Sequence, residues 1–259
     1  MKFSTVIISS VIFFAGALAR PSSLAERIAI REGRKSGVAI FNTNSGNTNV
    51  THSATSTNWA GVIIQSPPSG SHFTSAVGTF IVPTPSGNGA ASAWVGIDGD
   101  TAQNSIFQSG VDFTVSKGQV SYSAWYEWYA AFAVDVPSFQ VSAGDQIRIT
   151  LTTTTSTHGT VLLENLSTSQ SFTKDVSAPN SSSALQGKNA EWIVEDFEEN
   201  GQMVTLTNWG TLTFTDGSAG TNTGSSVAPS TGTIVNMEQD GRVLTSVSTS
   251  GSNVTIQHK

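Results

Sequence analysis

The side chains able to do chemistry in this chain are carboxylates, amides and aromatic rings. It contains no cysteine, and its four histidines (His52, His72, His158 and His258) fall in no HExxH or other metal-ligand spacing. Neither a metal ion nor another cofactor is expected. No G-x-S-x-G turn is present to present a nucleophilic serine, and no Gly-rich phosphate loop opens a helix. Paired Asp-Thr-Gly loops are also absent; Asp216-Gly217-Ser218 has a different order.

Period-two alternation sorts the remaining groups by face. Over residues 120–129, Val120, Tyr122, Ala124, Tyr126 and Trp128 point one way, and Ser121, Ser123, Trp125, Glu127 and Tyr129 the other. A solvent face would carry small polar residues and a core face would avoid Glu. Mixed aromatic and acidic character is what a substrate groove needs. By the same alternation Trp94 shares a face with Asp98, and Glu191, Ile193, Glu195 and Phe197 share another. Two carboxylates on a Trp-lined sheet suit a jelly-roll glycoside hydrolase, with Glu127 and Glu195 as acid and nucleophile. The same groove without catalysis suits a carbohydrate-binding lectin. Trp128 and Trp192 are assigned to the core.

The elements that must position these groups are strands. Alternation also marks 77–82, 146–152, 190–197, 203–215 and 243–247, and no stretch sustains a helical period. Turn signals fall between them, among them Pro67-Pro68-Ser69-Gly70, Ala143-Gly144-Asp145 and Glu199-Asn200-Gly201. Many short strands with regular turns predict an all-β sandwich or jelly roll in one domain. Without disulfide staples, its stability must come from the core.

The front of the chain differs. Lys2, the apolar run 6–14 and Ala17-Leu18-Ala19 read as a signal peptide over 1–19, so a secreted, extracellular product is expected. The run is too short to span a membrane. Residues 20–52 are basic and end in an Asn/Ser/Thr-rich stretch, which predicts a removable propeptide and linker with an approximate boundary. From Ser53 to Lys259, six basic residues stand against sixteen acidic ones, a net charge of −10. Such a surface argues against nucleic acid as a partner. It also suits low pH, where protonated carboxylates cease to repel. Sequons occur at Asn49, Asn165, Asn180 and Asn253.

Six ordered stretches carry a resemblance. They are Thr57-Asn58-Trp59-Ala60-Gly61, Gly78-Thr79-Phe80-Ile81-Val82-Pro83, the run Ala93 to Asp100, Gln108-Ser109-Gly110-Val111-Asp112-Phe113, the run Tyr122 to Tyr129, and the run Ala190 to Phe197. Together they resemble the fungal glutamic peptidases, the eqolisins, from about Ser56 to the C-terminus. The resemblance implies a concanavalin-like sandwich of two antiparallel sheets and an acid endopeptidase acting on proteins or peptides. It implies Gln108 and Glu195 as the catalytic pair, with Glu191 as the alternative glutamate in the same strand. Trp59, Trp94, Asp98, Asp112, Trp125, Glu127 and Tyr129 fall on motif positions around the cleft. The chain departs from members that carry disulfides, having none.

Such a pair would meet the needs of amide hydrolysis. A Glu195 carboxylate would take a proton from water and return it to the leaving nitrogen, while the Gln108 amide would donate to the oxyanion. Asp98, Asp112 and Glu127 would orient the pair and tune its pKa values. The basic propeptide is expected to inhibit an acidic cleft near neutral pH and to release on acidification. A monomer is expected.

Overall fold

The computed structural model describes residues 34–35, 37–41 and 53–259. The expected signal peptide and most of the expected propeptide lie outside them. The described chain is almost entirely strand, with only two short 3-10 turns, Ser181–Ser183 and Pro229–Thr231.

Two sheets face each other. One has nine strands in the order Arg242–Val243, Thr233–Gln239, Trp59–Ile64, Ala190–Glu195, Gly89–Ile97, Phe107–Ser116, Gln119–Trp128, Val134–Asp135, with Ser53–Ser56 alongside Thr233–Gln239. The other has eight, running Gln170–Ser177, His158–Asn165, Gln146–Thr155, Phe73–Ile81, Thr211–Thr221, Asn253–His258, Thr245–Ser250, with Ser226–Val227 on the side. Their strand pairs are antiparallel except that of Ser53–Ser56 with Thr233–Gln239. This is the expected β-sandwich. A small ribbon joins Arg34–Lys35, Glu198–Glu199 and Gln202–Met203.

The main core fills the space between the sheets. Tyr122, Ala124, Tyr126 and Trp128 all pack there, as the alternation requires. Phe80 and Phe214 meet edge to face with ring centroids 5.2 Å apart. Buried Trp residues satisfy their N–H groups, Trp192 on the Val77 carbonyl (2.8 Å) and Trp128 on that of Ser183 (2.8 Å). A second apolar cluster lies on the other face of the nine-stranded sheet and contains Trp59, Trp94, Trp125 and Ile193. The site is built around this second cluster.

The structure departs from the alternation in two places. Residues 203–215 do not form one strand; the regular strand begins at Thr211. Between them the chain crosses the sandwich edge, bridging Leu206 to Ala90 and Asn208 to Ser86. The Gly89–Ile97 strand also ends before Asp98, which takes φ 66° and leaves the face it would share with Trp94. Among the sequons, Asn165 is fully buried and its amide donates to the Gln140 carbonyl (3.2 Å) and to Asp145 (2.8 Å). That side chain is closed to a glycan, whereas Asn180 and Asn253 are exposed.

Candidate active site

Cross-strand register arranges the outer face of the nine-stranded sheet in three rows, because directly opposed residues share a face. The first row is Glu191, Gly96, Gln108, Glu127. The second is Ile193, Trp94, Gly110, Trp125, and the third is Glu195, Ser92, Asp112, Ser123. Trp59 stands beside Glu195 in the next strand. An aromatic row is thus flanked by two polar rows.

Small residues make this packing possible. Gly61, at φ 152°, lies against Trp192, and a Cβ there would sit 2.0 Å from the Trp192 carbonyl oxygen. Gly96 leaves the space that two larger groups use. A Cβ on it would meet the Trp94 ring at 2.7 Å and the Glu191 carboxyl at 3.1 Å.

Trp94 links the polar rows. Its indole N–H donates to Glu195 Oε2 at 2.9 Å, while its six-membered ring reaches Gly96. Trp59 packs against it edge to face, with centroids 4.9 Å apart. The Trp125 N–H donates to Ser92 at 3.1 Å, and Ser123 donates to Asp135 at 2.5 Å.

Gln108 and Glu195 both lie fully buried on this face, but in different rows. Four residues of strand separate the rows, roughly 13 Å, and two inter-strand steps add roughly 10 Å across. Their backbones stand on opposite banks of the tryptophan row. The register neighbours of Gln108 are Glu127 and, across Gly96, Glu191; those of Glu195 are Trp59 and Ser92, with Asp112 across Ser92. Glu127 and Glu195 stand further apart still, one strand beyond. Tyr129 is half-buried and packs on the second cluster.

Asp98 is occupied elsewhere. Its carboxylate accepts the backbone N–H groups of Gln186 (2.6 Å), Gly187 (2.9 Å), Lys188 (2.7 Å) and Asn189 (3.2 Å). It therefore anchors the loop 186–189 behind the first row. Burial still raises its pKa, with those four bonds pulling the other way.

Glu191 has the most perturbed carboxyl. Burial raises its pKa well above the usual range, and the charges of Asp98 and Asp100 raise it further. Both its oxygens, and both polar atoms of Gln108, are buried without a hydrogen-bond partner among the described residues. Asp100 is raised by burial, against a hydrogen bond from Gln65 at 3.0 Å. Asp196 is pushed up to about 6 by burial, opposed by Gln239 Nε2 at 2.7 Å. Among the described residues no cluster of three or more metal-ligating side chains occurs.

Part of this face is covered by residues of the basic stretch 20–52, the segment expected above to inhibit the cleft; which of its residues lie there was not legible in the sequence. Residues 37–41 lie along it as an extended peptide. The Gly37 N–H donates to Glu195 Oε1 at 2.9 Å, and the Gly37 carbonyl accepts from the Trp59 indole at 3.1 Å. Ala39, 4 % exposed, enters the second cluster. Asn58 holds the main chain on either side of it. No signal in the sequence announced Asn58 beyond its place in a quoted motif.

A β-sandwich with an acidic, Trp-lined groove holding an extended peptide is, by its relatives, an endopeptidase. The chain matches the Peptidase A4 family model over residues 57–258 and belongs to that family, the eqolisins. It is 39% identical to Aspergillopepsin-2 of Aspergillus niger and 36% identical to Scytalidopepsin B of Scytalidium lignicola, over all of this chain and all of each relative. A solved structure of scytalido-glutamic peptidase with a transition state analog inhibitor superposes with a TM-score of 0.71 at 38% identity. It covers 78% of this chain and 98% of its own.

Proposed function

We propose that the chain is a secreted acid endopeptidase in which Glu195 activates water and Gln108 stabilises the oxyanion. The observation that carries this reading is the environment of Glu195. Its carboxylate is fixed by the Trp94 indole on one oxygen and takes a peptide N–H on the other. A carboxylate so held is oriented toward a substrate main chain. Glu195 removes a proton from water as the oxygen bonds to the carbonyl carbon. The carbonyl oxygen becomes negative and accepts from the Gln108 amide. The C–N bond then breaks, the proton from Glu195 goes to the departing nitrogen, and an acid and an amine remain. Asp112, across Ser92 from Glu195, and Glu127, beside Gln108, orient the pair, and Trp59, Trp94 and Trp125 floor the groove.

Acid action follows from the surroundings. Carboxyls at Glu191, Asp98, Asp100 and Asp196 are all pushed toward the neutral form by burial, so the site reaches its least repulsive state at low pH. Residues 37–41 belong to the basic segment 20–52, and their seat on Glu195 supports that segment as the chain's own inhibitor. Secretion is proposed from residues 1–19, and the chain is proposed to act as a monomer.

The test compares acid proteolysis of a denatured protein by wild type, Gln108→Ala and Glu195→Ala, with polysaccharide hydrolysis in parallel. Losing one oxyanion donor costs about 10²–10³ in rate, and that is the expected fall for Gln108→Ala. Proteolysis that survives either substitution overturns the mechanism. Polysaccharide cleavage without proteolysis overturns the substrate class.

A further inference from the structure

Residues 37–41 lie on the groove through main-chain contacts that demand little of their side chains. The Val38 carbonyl accepts from Asn58 Nδ2 at 3.2 Å, and the Ile40 N–H donates to Asn58 Oδ1 at 3.0 Å. Between those two contacts, the Ala39 N–H donates to the Gly99 carbonyl at 3.3 Å. The Ile40 carbonyl then accepts from the Thr57 N–H at 2.9 Å. One Asn amide thus reads an acceptor and a donor two residues apart, as a backbone peptide group does in a sheet ladder. The side chain is pre-set for this: Asn58 is 2 % exposed, and Ser56 Oγ donates to its Oδ1 at 2.9 Å.

The contact has a fixed distance from the chemistry. Gly37, whose N–H meets Glu195, directly precedes Val38, and the Trp59 indole that holds the Gly37 carbonyl belongs to the residue after Asn58. Ala39 is the one side chain of the stretch that is buried, against Trp59 and its cluster. Val38 and Ile40 are left half-buried and exposed.

We propose that Asn58 is a substrate-binding residue of the peptidase. It grips the main chain of an extended polypeptide at the first and third residues beyond the one whose N–H meets Glu195. The segment 37–41 occupies this track in the uncleaved chain, and polypeptide substrates use the same track after maturation. The inference rests on the proposed role of Glu195. It adds a binding determinant that reads peptide main chain regardless of sequence.

The test uses enzyme matured from the full chain at acid pH and the peptide Gly-Val-Ala-Ile-Phe, the sequence of 37–41, as competitive inhibitor. Two further peptides carry an N-methyl group on the Ile or on the Val nitrogen. Methylating the Ile nitrogen removes the bond to Asn58 and is expected to weaken inhibition about tenfold, the scale of one well-made hydrogen bond. Methylating the Val nitrogen, which donates to nothing in the ladder, is expected to change inhibition less than twofold. That comparison needs no variant enzyme. Against Asn58→Ala the penalty for the methylated Ile should disappear, and KM for a long peptide substrate should rise about tenfold with kcat little changed. Equal effects of the two methyl groups on wild type overturn the proposal, and so does an Asn58→Ala enzyme that still discriminates between them. A failure of the Glu195 reading looks different, because Glu195→Ala would then keep its proteolytic activity.

Discussion

Asp196 offers the sharpest check on how burial couples this fold to pH. It follows Glu195, is 2 % exposed, and its Oδ1 has no hydrogen-bond partner among the described residues. Gln239 donates to Oδ2 at 2.7 Å and also to the Thr57 carbonyl at 2.9 Å, so the carboxyl helps seat the strand that follows Asn58. Burial lifts its pKa from 3.8 to about 6. At 1.36 kcal/mol per pKa unit that is about 3 kcal/mol. The sign follows from the direction. The folded pKa is the higher one, so the fold favours the neutral acid. That stability is fully present below about pH 4 and is lost as pH rises through about 6. Asp196→Asn keeps the shape and is neutral throughout. Its oxygen can still accept from Gln239, and any cost of its buried NH2 is the same at every pH. Urea unfolding at steps from pH 3.5 to 7, in a Gln108→Ala background to suppress self-cleavage, reads the effect. Wild type should lose about 3 kcal/mol more than Asp196→Asn between pH 4 and pH 7. Parallel pH curves for the two proteins would refute the reasoning.

Two more outcomes follow from the buried acids. Glu191→Gln removes a carboxyl that is forced toward neutrality by burial and by Asp98 and Asp100. It should raise the thermal midpoint at pH 7 relative to wild type and leave it nearly unchanged at pH 4, where wild-type Glu191 is already neutral. Asp98→Ala strips the acceptor from four backbone N–H groups of residues 186–189. A loss of more than about 3 kcal/mol in urea unfolding is expected, with faster amide hydrogen exchange confined first to those residues.

The fold was legible because alternation is local. Residues 120–129 declare two faces by themselves, and the structure sends Tyr122, Tyr126 and Trp128 to the core and Trp125 to the groove. Register is not local, and the site depends on it. Glu191 and Glu195 share one face of one strand, so no periodicity distinguishes them. Only pairing with Gly89–Ile97 shows that Glu191 lies level with Gln108 and Glu195 level with Asp112. That pairing joins strands about a hundred residues apart in sequence, where no turn sets the offset. Asp98 shows the opposite failure. It continues the alternation in sequence, yet four N–H donors from a distant loop capture its carboxylate and turn the chain aside. The peptide on the groove was hidden for a third reason. Its contacts are made by main-chain atoms, which every residue carries, so its sequence holds no mark of where it binds. A groove that reads main chain in this way should accept many sequences. Side-chain preference would then be set mainly at the position Ala39 occupies, the one buried side chain of the stretch, in the cluster that holds Trp59 and Ile106.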